Sequence, residues 1–348
     1  MGRIKDTSKL KSFSERAFGV EIEHVSPYSS RSESAEAIMN LANSYLPEDN
    51  QCEIARTGYT HRTTSYWKMT SDGTAHATRS QTNRGLYGGS ELVSPILKGE
   101  KSVQQLEMIL KAMRELGCEV SRYCGLHVHH DVRTWKTDLQ SSDYSDNEKT
   151  LSKITNLITL TQKFENVIYG MLPKSRSEGR WCYPINQQYH SAFRAVNGKS
   201  SSTKTEKMKV LKKANKDGKT SYDGYMSVNA FQNDRYCGLN FKPFYRIGTV
   251  EFRYGAPTLN FEKMINWIVF TQQFVNMAET WKSVQTPAEM LIDTKANCDL
   301  TFDKMRDSLG LAKRLCRDDR QRACGLWIRK RFNHFHSVDA DGSVTRNA

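Results

Sequence analysis

The chain has 348 residues, of which 38% are hydrophobic and 10% aromatic, so it holds enough apolar material for a packed core and is not disordered throughout. Its formal net charge of +13 favours anionic partners such as nucleotides, acidic peptides or nucleic acid. No apolar run approaches the roughly 20 residues that a membrane-spanning helix needs, and the polar N-terminus lacks the features of a secretory signal, so we expect a cytoplasmic protein.

The predicted elements alternate between strands and helices over the first 281 residues. Alternating apolar and polar side chains, or a short apolar run closed by proline, predict strands over 16–25, 91–94, 119–132 and 250–254. Apolar residues at helical spacing predict helices over 33–46, 100–116, about 147–169 and about 261–281. Gly117 is expected to end the second of these helices. The eight cysteines form no C-x-x-C pair, so most of them should be small buried residues.

Two basic segments look like additions to this core. Residues 198–224 contain eight lysines and few apolar residues, which indicates a surface insertion; a lid or a polyanion-binding loop is the alternative. Residues 311–335 are basic and partly amphipathic, which predicts a helix packed on the core with solvated charges. We therefore divide the chain into a core domain over 1–290, which carries the insertion, and a basic C-terminal extension over 291–348.

Three of the predicted strands carry polar pairs at positions i and i+2, which share one face of a strand. The pairs are Glu21 with Glu23, His127 with His129, and Glu251 with Arg253. Any one pair is also compatible with ordinary alternation on a sheet that has one wet face. Three pairs of residue types that form strands poorly favour a site for a divalent ion and a phosphate group.

Two further acidic residues are candidates for the same site. Glu91 follows Gly88 and Gly89, a double glycine that would let the backbone approach a ligand; an edge-strand carboxylate is the alternative. Asp72 precedes a glycine and is either part of a plain turn or a general base. The motifs G-x-G-x-x-G, H-E-x-x-H and G-x-S-x-G are absent, and the sequence has no complete P-loop, so any nucleotide is bound without such loops.

Five stretches together resemble the amidoligase family, a branch of the glutamine synthetase and glutamate–cysteine ligase superfamily. In chain order they are FGVEIE at 18–23, W-x₄-DG at 67–73 with ELVSP at 91–95, CGLHVHHD at 124–131, RYCGLN at 235–240 and TVEFRYGAPTLN at 249–260. The resemblance implies an α+β fold with a curved, mainly antiparallel sheet of the glutamine-synthetase catalytic-domain type and helices packed on one face. Residues 1–290 would then be the catalytic domain.

The resemblance also implies roles for individual residues. The ligands of two or three Mg²⁺ or Mn²⁺ ions would be Glu21, Glu23, Glu91, His127 and Glu251. His129 and Arg253 would contact nucleotide phosphates, with Arg253 also stabilising charge on the transferred group. Arg235 and Asn240 would contact substrate or phosphate, and Asp72 is a candidate general base.

The function implied by the resemblance is an ATP- and Mg²⁺-dependent ligase that joins a carboxylate to an amine through an acyl phosphate. Two alternatives stay open: a nucleic-acid-associated basic binding protein, suggested by the charge, and a phosphotransferase on the same fold. The sequence does not define the carboxylate and amine substrates, which include peptides and proteins as candidates.

Overall fold

The structure of the protein is a computed structural model that describes residues 10–60, 62–135, 144–177, 179, 181–185, 235–281 and 290–347. The predicted surface insertion over 198–224 lies outside these residues. Helices and sheet strands both occur in the described part, so the chain is a mixed α/β protein. None of the helices described is long and apolar enough to cross a membrane.

The four strands and four helices predicted from the sequence are all present, together with shorter elements. The strands are β1 (Phe18–Ser26), β2 (Ile54–Arg56), β3 (Trp67–Ser71), β4 (Tyr87–Val93), β5 (Leu126–Asp131), β6 (Leu239–Asn240), β7 (Thr249–Gly255), β8 (His336–Val338) and β9 (Val344–Arg346). The helices are α1 (Arg31–Tyr45), α2 (Arg79–Asn83), α3 (Gly99–Glu115), α4 (Tyr144–Gly170), α5 (Lys174–Ser177), α6 (Lys242–Ile247), α7 (Phe261–Thr280), α8 (Lys295–Ser308) and α9 (Asp319–Phe335).

The chain divides into two compact units. Unit A comprises Ser14–His129 and Gly255–Ile268. Unit B comprises Met1–Phe13, His130–Tyr254 and Val269–Ala348. The boundary between the units therefore falls inside β5 and again near the end of β7.

Unit A contains the strands β2-β3-β4-β1 and the larger part of β5, in this spatial order. Strand β4 pairs antiparallel with both β1 and β3, whereas β2 pairs parallel with β3. Helices α1 and α3 pack on each other, and α1 also contacts β2 and β3. Helix α3 buries the apolar residues expected from its sequence spacing, and Gly117 just beyond it has a φ of 81°, the left-handed conformation that ends many helices.

The predicted strand over 119–132 is confirmed for β5 and for Glu119, which forms an isolated antiparallel bridge with Val25 of β1, but it is wrong for the residues between them. The residues before β5 form a turn, in which the Ser121 carbonyl accepts a hydrogen bond from the Cys124 amide at 3.1 Å. The Ser121 hydroxyl accepts another from the Tyr123 amide at 3.1 Å. Such local hydrogen bonds of a serine side chain compete with strand pairing, which explains the late start of β5.

In unit B, the C-terminal elements pack on the end of α4. Arg346 of β9 donates hydrogen bonds to the carbonyl oxygens of Leu172 at 2.6 Å and of Tyr169 at 3.4 Å. The ring of Phe332 lies so close to Gly170 that an added Cβ would be 2.9 Å from it. The residues beyond 290 thus share packing with unit B, and the division of the chain at residue 290 stays a prediction. Seven of the eight cysteines are buried and all are free, as expected.

Unit B also contains a buried carboxyl group, Glu165 on α4. It accepts hydrogen bonds from the Tyr254 hydroxyl at 2.5 Å and from the Ile185 amide at 3.0 Å. Burial raises the pKa of Glu165 to about 7, and these hydrogen bonds oppose the rise only in part. The folded protein therefore binds the Glu165 proton more tightly than the unfolded chain does.

We expect the free energy of unfolding to fall as the pH rises from about 4.5 to about 7, because over this range the unfolded chain releases the Glu165 proton while the folded protein still holds it. Glu165→Gln cannot ionise and should remove this loss, which is worth up to roughly 3 kcal/mol. Chemical denaturation of both proteins across this pH range measures the difference. The control Glu262→Gln, at an exposed position of α7, should keep the wild-type slope. The same slope in Glu165→Gln would contradict this account of Glu165.

Candidate active site

In unit A, the sheet brings carboxylates from neighbouring strands onto one face. Glu21 and Glu23 alternate along β1, and Glu91 on β4 lies directly opposite Glu23 in the strand register. Asp72 follows the end of β3. Glu23 and Glu91 are only 4% and 7% exposed, so the alternative of solvated charges on a wet face does not hold for these two carboxylates. Burial of several carboxylates close together is costly unless cations or hydrogen-bond donors compensate their charge.

Two histidines of β5 contact Glu21. His127 Nδ1 lies 3.0 Å from Glu21 Oε2, and His129 Nε2 lies 3.1 Å from Glu21 Oε1. The other ring nitrogen of His127 lies 3.7 Å from Glu23 Oε1. Burial alone would raise the pKa of Glu21, but the hydrogen bonds to His127 and His129 outweigh it and hold this pKa well below its ordinary value. Glu21 therefore carries a negative charge at neutral pH.

Within unit A, two overlapping groups of side chains have the composition of a metal site. Glu21, Glu91 and His127 form one group, and Glu23, Asp72 and Glu91 form the other. In each group, one potential ligand atom per residue lies within 4.8 Å of the others. Carboxylate oxygens with at most one imidazole suit hard divalent ions such as Mg²⁺ or Mn²⁺.

Gly125 has a role that the sequence interpretation missed. Its amide donates a hydrogen bond to Glu23 Oε2 at 2.7 Å. A Cβ at this position would lie 3.0 Å from His127 Nε2 and 3.4 Å from Glu23 Oε1, so a side chain would crowd the carboxylate–histidine cluster. Gly125 is part of the CGLHVHHD stretch, but the sequence does not reveal its role, because that role depends on its contact with Glu23 of β1.

The turn at Asp72 is present as expected, whereas Gly88, which precedes Glu91, does not have the role that we expected. Asp72 Oδ1 accepts hydrogen bonds from the amide and the hydroxyl of Thr74, both at 2.6 Å, so the turn is present and fixes the carboxylate. Gly88 packs against the backbone near Ala75, since an added Cβ would be 2.5 Å from the Ala75 carbonyl oxygen. This glycine therefore accommodates a neighbouring loop of unit A, whereas we expected it to approach a ligand.

Two more polar residues share the face of Glu91 and were not found from the sequence. Thr70 on β3 lies opposite Glu91, and Lys68 lies opposite Val93. Each is 5% exposed. The Lys68 ammonium donates to the carbonyl oxygen of Arg62 at 2.9 Å. The alternation in WKMTSD could have placed both residues on the face of Asp72, but a lysine and a threonine are common on exposed strands.

In unit B, the third predicted pair is part of a tight hydrogen-bonded group. Arg253 Nη1 donates to Glu251 Oε1 at 2.6 Å, and Asn240 Nδ2 donates to Glu251 Oε2 at 2.6 Å. Asn240 and Glu251 are directly opposite in the antiparallel pairing of β6 with β7. Asn240, expected to contact substrate or phosphate, thus holds the Glu251 carboxylate in place. Arg235 lies over the ring of Tyr236, 5.2 Å from its centre.

The structure therefore brings most of the predicted residues together within their own unit. Those of unit A are Glu21, Glu23, Asp72, Glu91, His127 and His129. Those of unit B are Asn240, Glu251 and Arg253; none of the hydrogen bonds described above joins Arg235 to these three. The roles assigned to all of these residues stay predictions.

The fold and site define a mixed α/β protein with a buried carboxylate–histidine cluster suited to divalent ions. Residues 14–275, well over half of the chain, match the model of the family described as "Putative amidoligase enzyme". The chain belongs to this family, which confirms the resemblance carried by its five sequence stretches and makes it a ligase-type enzyme.

Comparison with other proteins adds little to this assignment. No curated protein matches the sequence. Among solved structures, the chain is similar to a bifunctional glutathione synthetase from Pasteurella multocida, with 13% sequence identity and a TM-score of 0.41. The similarity covers 92% of this chain and 47% of that one, so the chain spans about half the length of the synthetase.

Proposed function

We propose that the protein is an ATP- and Mg²⁺-dependent ligase that forms an amide or peptide bond between a carboxylate and an amine. The observation that carries the proposal is the pair of metal-type groups in unit A, Glu21/Glu91/His127 and Glu23/Asp72/Glu91, in a member of the amidoligase family. A carboxylate is a poor acyl donor at neutral pH, and phosphorylation by ATP would convert it to an acyl phosphate that an amine can attack. Water must be excluded from such an intermediate, which suits a buried site.

The donor set of unit A fits Mg²⁺ or Mn²⁺, and we propose Glu21, Glu23, Glu91 and His127 as the ligands. A bound ion would neutralise charge on the β- and γ-phosphates of ATP. Asp72 Oδ1 is held by Thr74, so the carboxylate is oriented either as a further ligand or as the general base for the incoming amine. His129, held against Glu21, is the proposed phosphate contact of this unit.

In unit B, Glu251 is the proposed metal ligand and Arg253 the proposed phosphate contact. Asn240 and Arg253 fix both oxygens of Glu251, so the carboxylate needs little reorganisation to bind an ion. The planar guanidinium of Arg253 can hold two phosphate oxygens at once and would stabilise the charge of the transferred group. We further propose that the sheet has the curved glutamine-synthetase form; the antiparallel pairings β1–β4, β3–β4 and β6–β7 support its antiparallel character.

The alternative functions receive less support. Several described arginines of the basic C-terminal segment are paired with acids, as in Arg329 with Asp299 at 2.8 Å and Arg314 with Asp307 at 2.7 Å, which leaves less charge for nucleic acid. A phosphotransferase would use the same geometry. Its product would retain the phosphate, whereas a ligase would release phosphate and form an amide, so ³¹P NMR of the products distinguishes the two.

We expect nucleotide binding to require a divalent ion, because the clustered carboxylates would otherwise repel the phosphates at close range. Calorimetric titration of the wild type with ADP and with ATP, in Mg²⁺ and in EDTA, measures this requirement. Affinity should fall by about 100-fold or more without the ion, the range expected for loss of a close charge interaction. The variant Glu36→Gln, at an exposed position of α1, should behave as the wild type. Equal affinity with and without Mg²⁺ would contradict the proposal.

A further inference from the structure

Arg176, on the short helix α5 of unit B, has no role in the function proposed so far. Its side chain is anchored at the end of β7, where Nη2 donates to the carbonyl oxygen of Arg253 at 2.5 Å and Nε donates to that of Tyr254 at 3.3 Å. The residue is only 6% exposed. A guanidinium is always charged at physiological pH, so folding buries a full positive charge at this position.

The charge of Arg176 has no direct ionic partner within the described part of the chain, although the Glu165 carboxyl group acts on the same Cys182 thiol as Arg176 does. No described carboxylate forms an ion pair with it, and its Nη1 atom makes no hydrogen bond with described residues. Carbonyl oxygens satisfy two of its donors, but they carry no net charge. Burial of an uncompensated cation is costly, and proteins normally offset the cost with an anion. An anionic ligand would supply what the surroundings of Arg176 lack.

A second guanidinium lies in the same region of unit B. The charges of Arg176 and Arg253 both act on the Cys182 thiol: burial raises the pKa of this thiol to about 11, and the two arginines oppose the rise. Arg176 also donates to the backbone carbonyl oxygen of Arg253, so its guanidinium lies against the main chain of the residue that carries the second guanidinium. Two guanidinium groups near one point are typical of phosphate recognition, since each can offer two parallel N–H donors to phosphate oxygens.

We propose that Arg176 and Arg253 together form a phosphate-binding subsite, in which Arg176 binds a phosphate group through the donors that β7 leaves unused. The subsite deepens the proposed function, on which it rests, because it names a second cation that holds the nucleotide phosphates. The backbone hydrogen bonds of Arg176 keep its guanidinium oriented before the ligand arrives, which lowers the entropy cost of binding.

The test separates the charge of Arg176 from its contact with β7. Arg176→Gln keeps a donor for a β7 carbonyl and removes the charge, whereas Arg176→Lys keeps the charge and loses the planar fork. We measure the affinity of each variant for ADP and for pyrophosphate, both with Mg²⁺, by calorimetry, and check folding by thermal melting. Arg176→Gln should bind both ligands about 10-fold or more weakly, the usual cost of losing a charged hydrogen bond. Arg176→Lys should lose less affinity for both ligands. If Arg176→Gln does not fold, the affinity of Arg176→Lys relative to the wild type tests the subsite.

The matched control is Arg346→Gln. Arg346 also lies in unit B and donates to the carbonyl oxygens of Tyr169 and Leu172 and to the Ser177 hydroxyl of α5, so its loss reproduces the structural part of the change beside the same helix. It should bind ADP and pyrophosphate as the wild type does. Wild-type affinity in Arg176→Gln, or an equal loss in Arg346→Gln, would overturn the subsite. If the wild type itself binds neither ligand, the proposed nucleotide function fails and the subsite fails with it.

Discussion

Glu251→Gln and Arg253→Lys should each lower ATP turnover by about two orders of magnitude or more, the usual cost of removing a group that stabilises transition-state charge. Glu251→Gln keeps the shape of the side chain but removes the negative charge that a divalent ion needs. Arg253→Lys keeps the charge but loses the fork that can hold two phosphate oxygens. Both side chains lie on β7, where Arg253 Nη1 donates to Glu251 Oε1 at 2.6 Å.

The measurement is ADP release in a coupled assay, paired with thermal melts. A panel of amino acids and other carboxylates first identifies the pair with which the wild type releases ADP fastest. We expect some loss of stability in both variants, because Glu251 is only 3% exposed and accepts hydrogen bonds from Asn240 and Arg253. Melting curves at the assay temperature show whether the variants are still folded when turnover is measured.

The chain offers a matched control for this pair. Asp131 and Arg133 form a similar acid–arginine pair, with Nη2 and Oδ2 2.7 Å apart, but on a more exposed part of the chain. Asp131→Asn should cost at most about 1 kcal/mol of stability, as exposed ion pairs usually do, and should leave turnover unchanged. Normal ADP release from both Glu251→Gln and Arg253→Lys would show that their pair is structural, and would end the ligase role of β7.

Much of the site could be predicted because strand alternation is a local property of the sequence. Glu21 and Glu23 share a face by their spacing alone, and so do Glu251 and Arg253. Alternation does not reveal what covers that face, so the sequence left a wet surface open as an alternative, whereas Glu23 is only 4% exposed.

Contacts between distant parts of the chain could not be predicted from local sequence patterns. Asn240 holds Glu251 only because β6 and β7 pair in one particular register. Arg176 lies in a four-residue helix without periodicity, and its partners are backbone carbonyls 77 and 78 residues away. The strand predicted over 119–132 begins later than expected for a related reason, since the side chain of Ser121 stabilises a local turn before β5.

We propose that the carboxylate–histidine cluster of unit A binds a divalent ion, and we expect this binding to depend most on Glu21. Glu21 contacts both His127 and His129 and belongs to the group with Glu91. Glu21→Gln removes one charged ligand and leaves an amide oxygen that binds Mg²⁺ or Mn²⁺ poorly. Even an outer partner of a metal ligand is worth roughly 10- to 100-fold in affinity, so we expect a loss of about 100-fold or more.

Titration of the wild type and Glu21→Gln with Mn²⁺, followed by the electron paramagnetic resonance signal of the free ion, tests this claim most directly. Glu36→Gln serves as the control, because it removes the same charge from an exposed position of α1. We predict tight binding by the wild type and by Glu36→Gln, and about 100-fold weaker binding by Glu21→Gln. Equal Mn²⁺ affinity in all three proteins, or no binding by the wild type, would contradict the metal site and the function built on it.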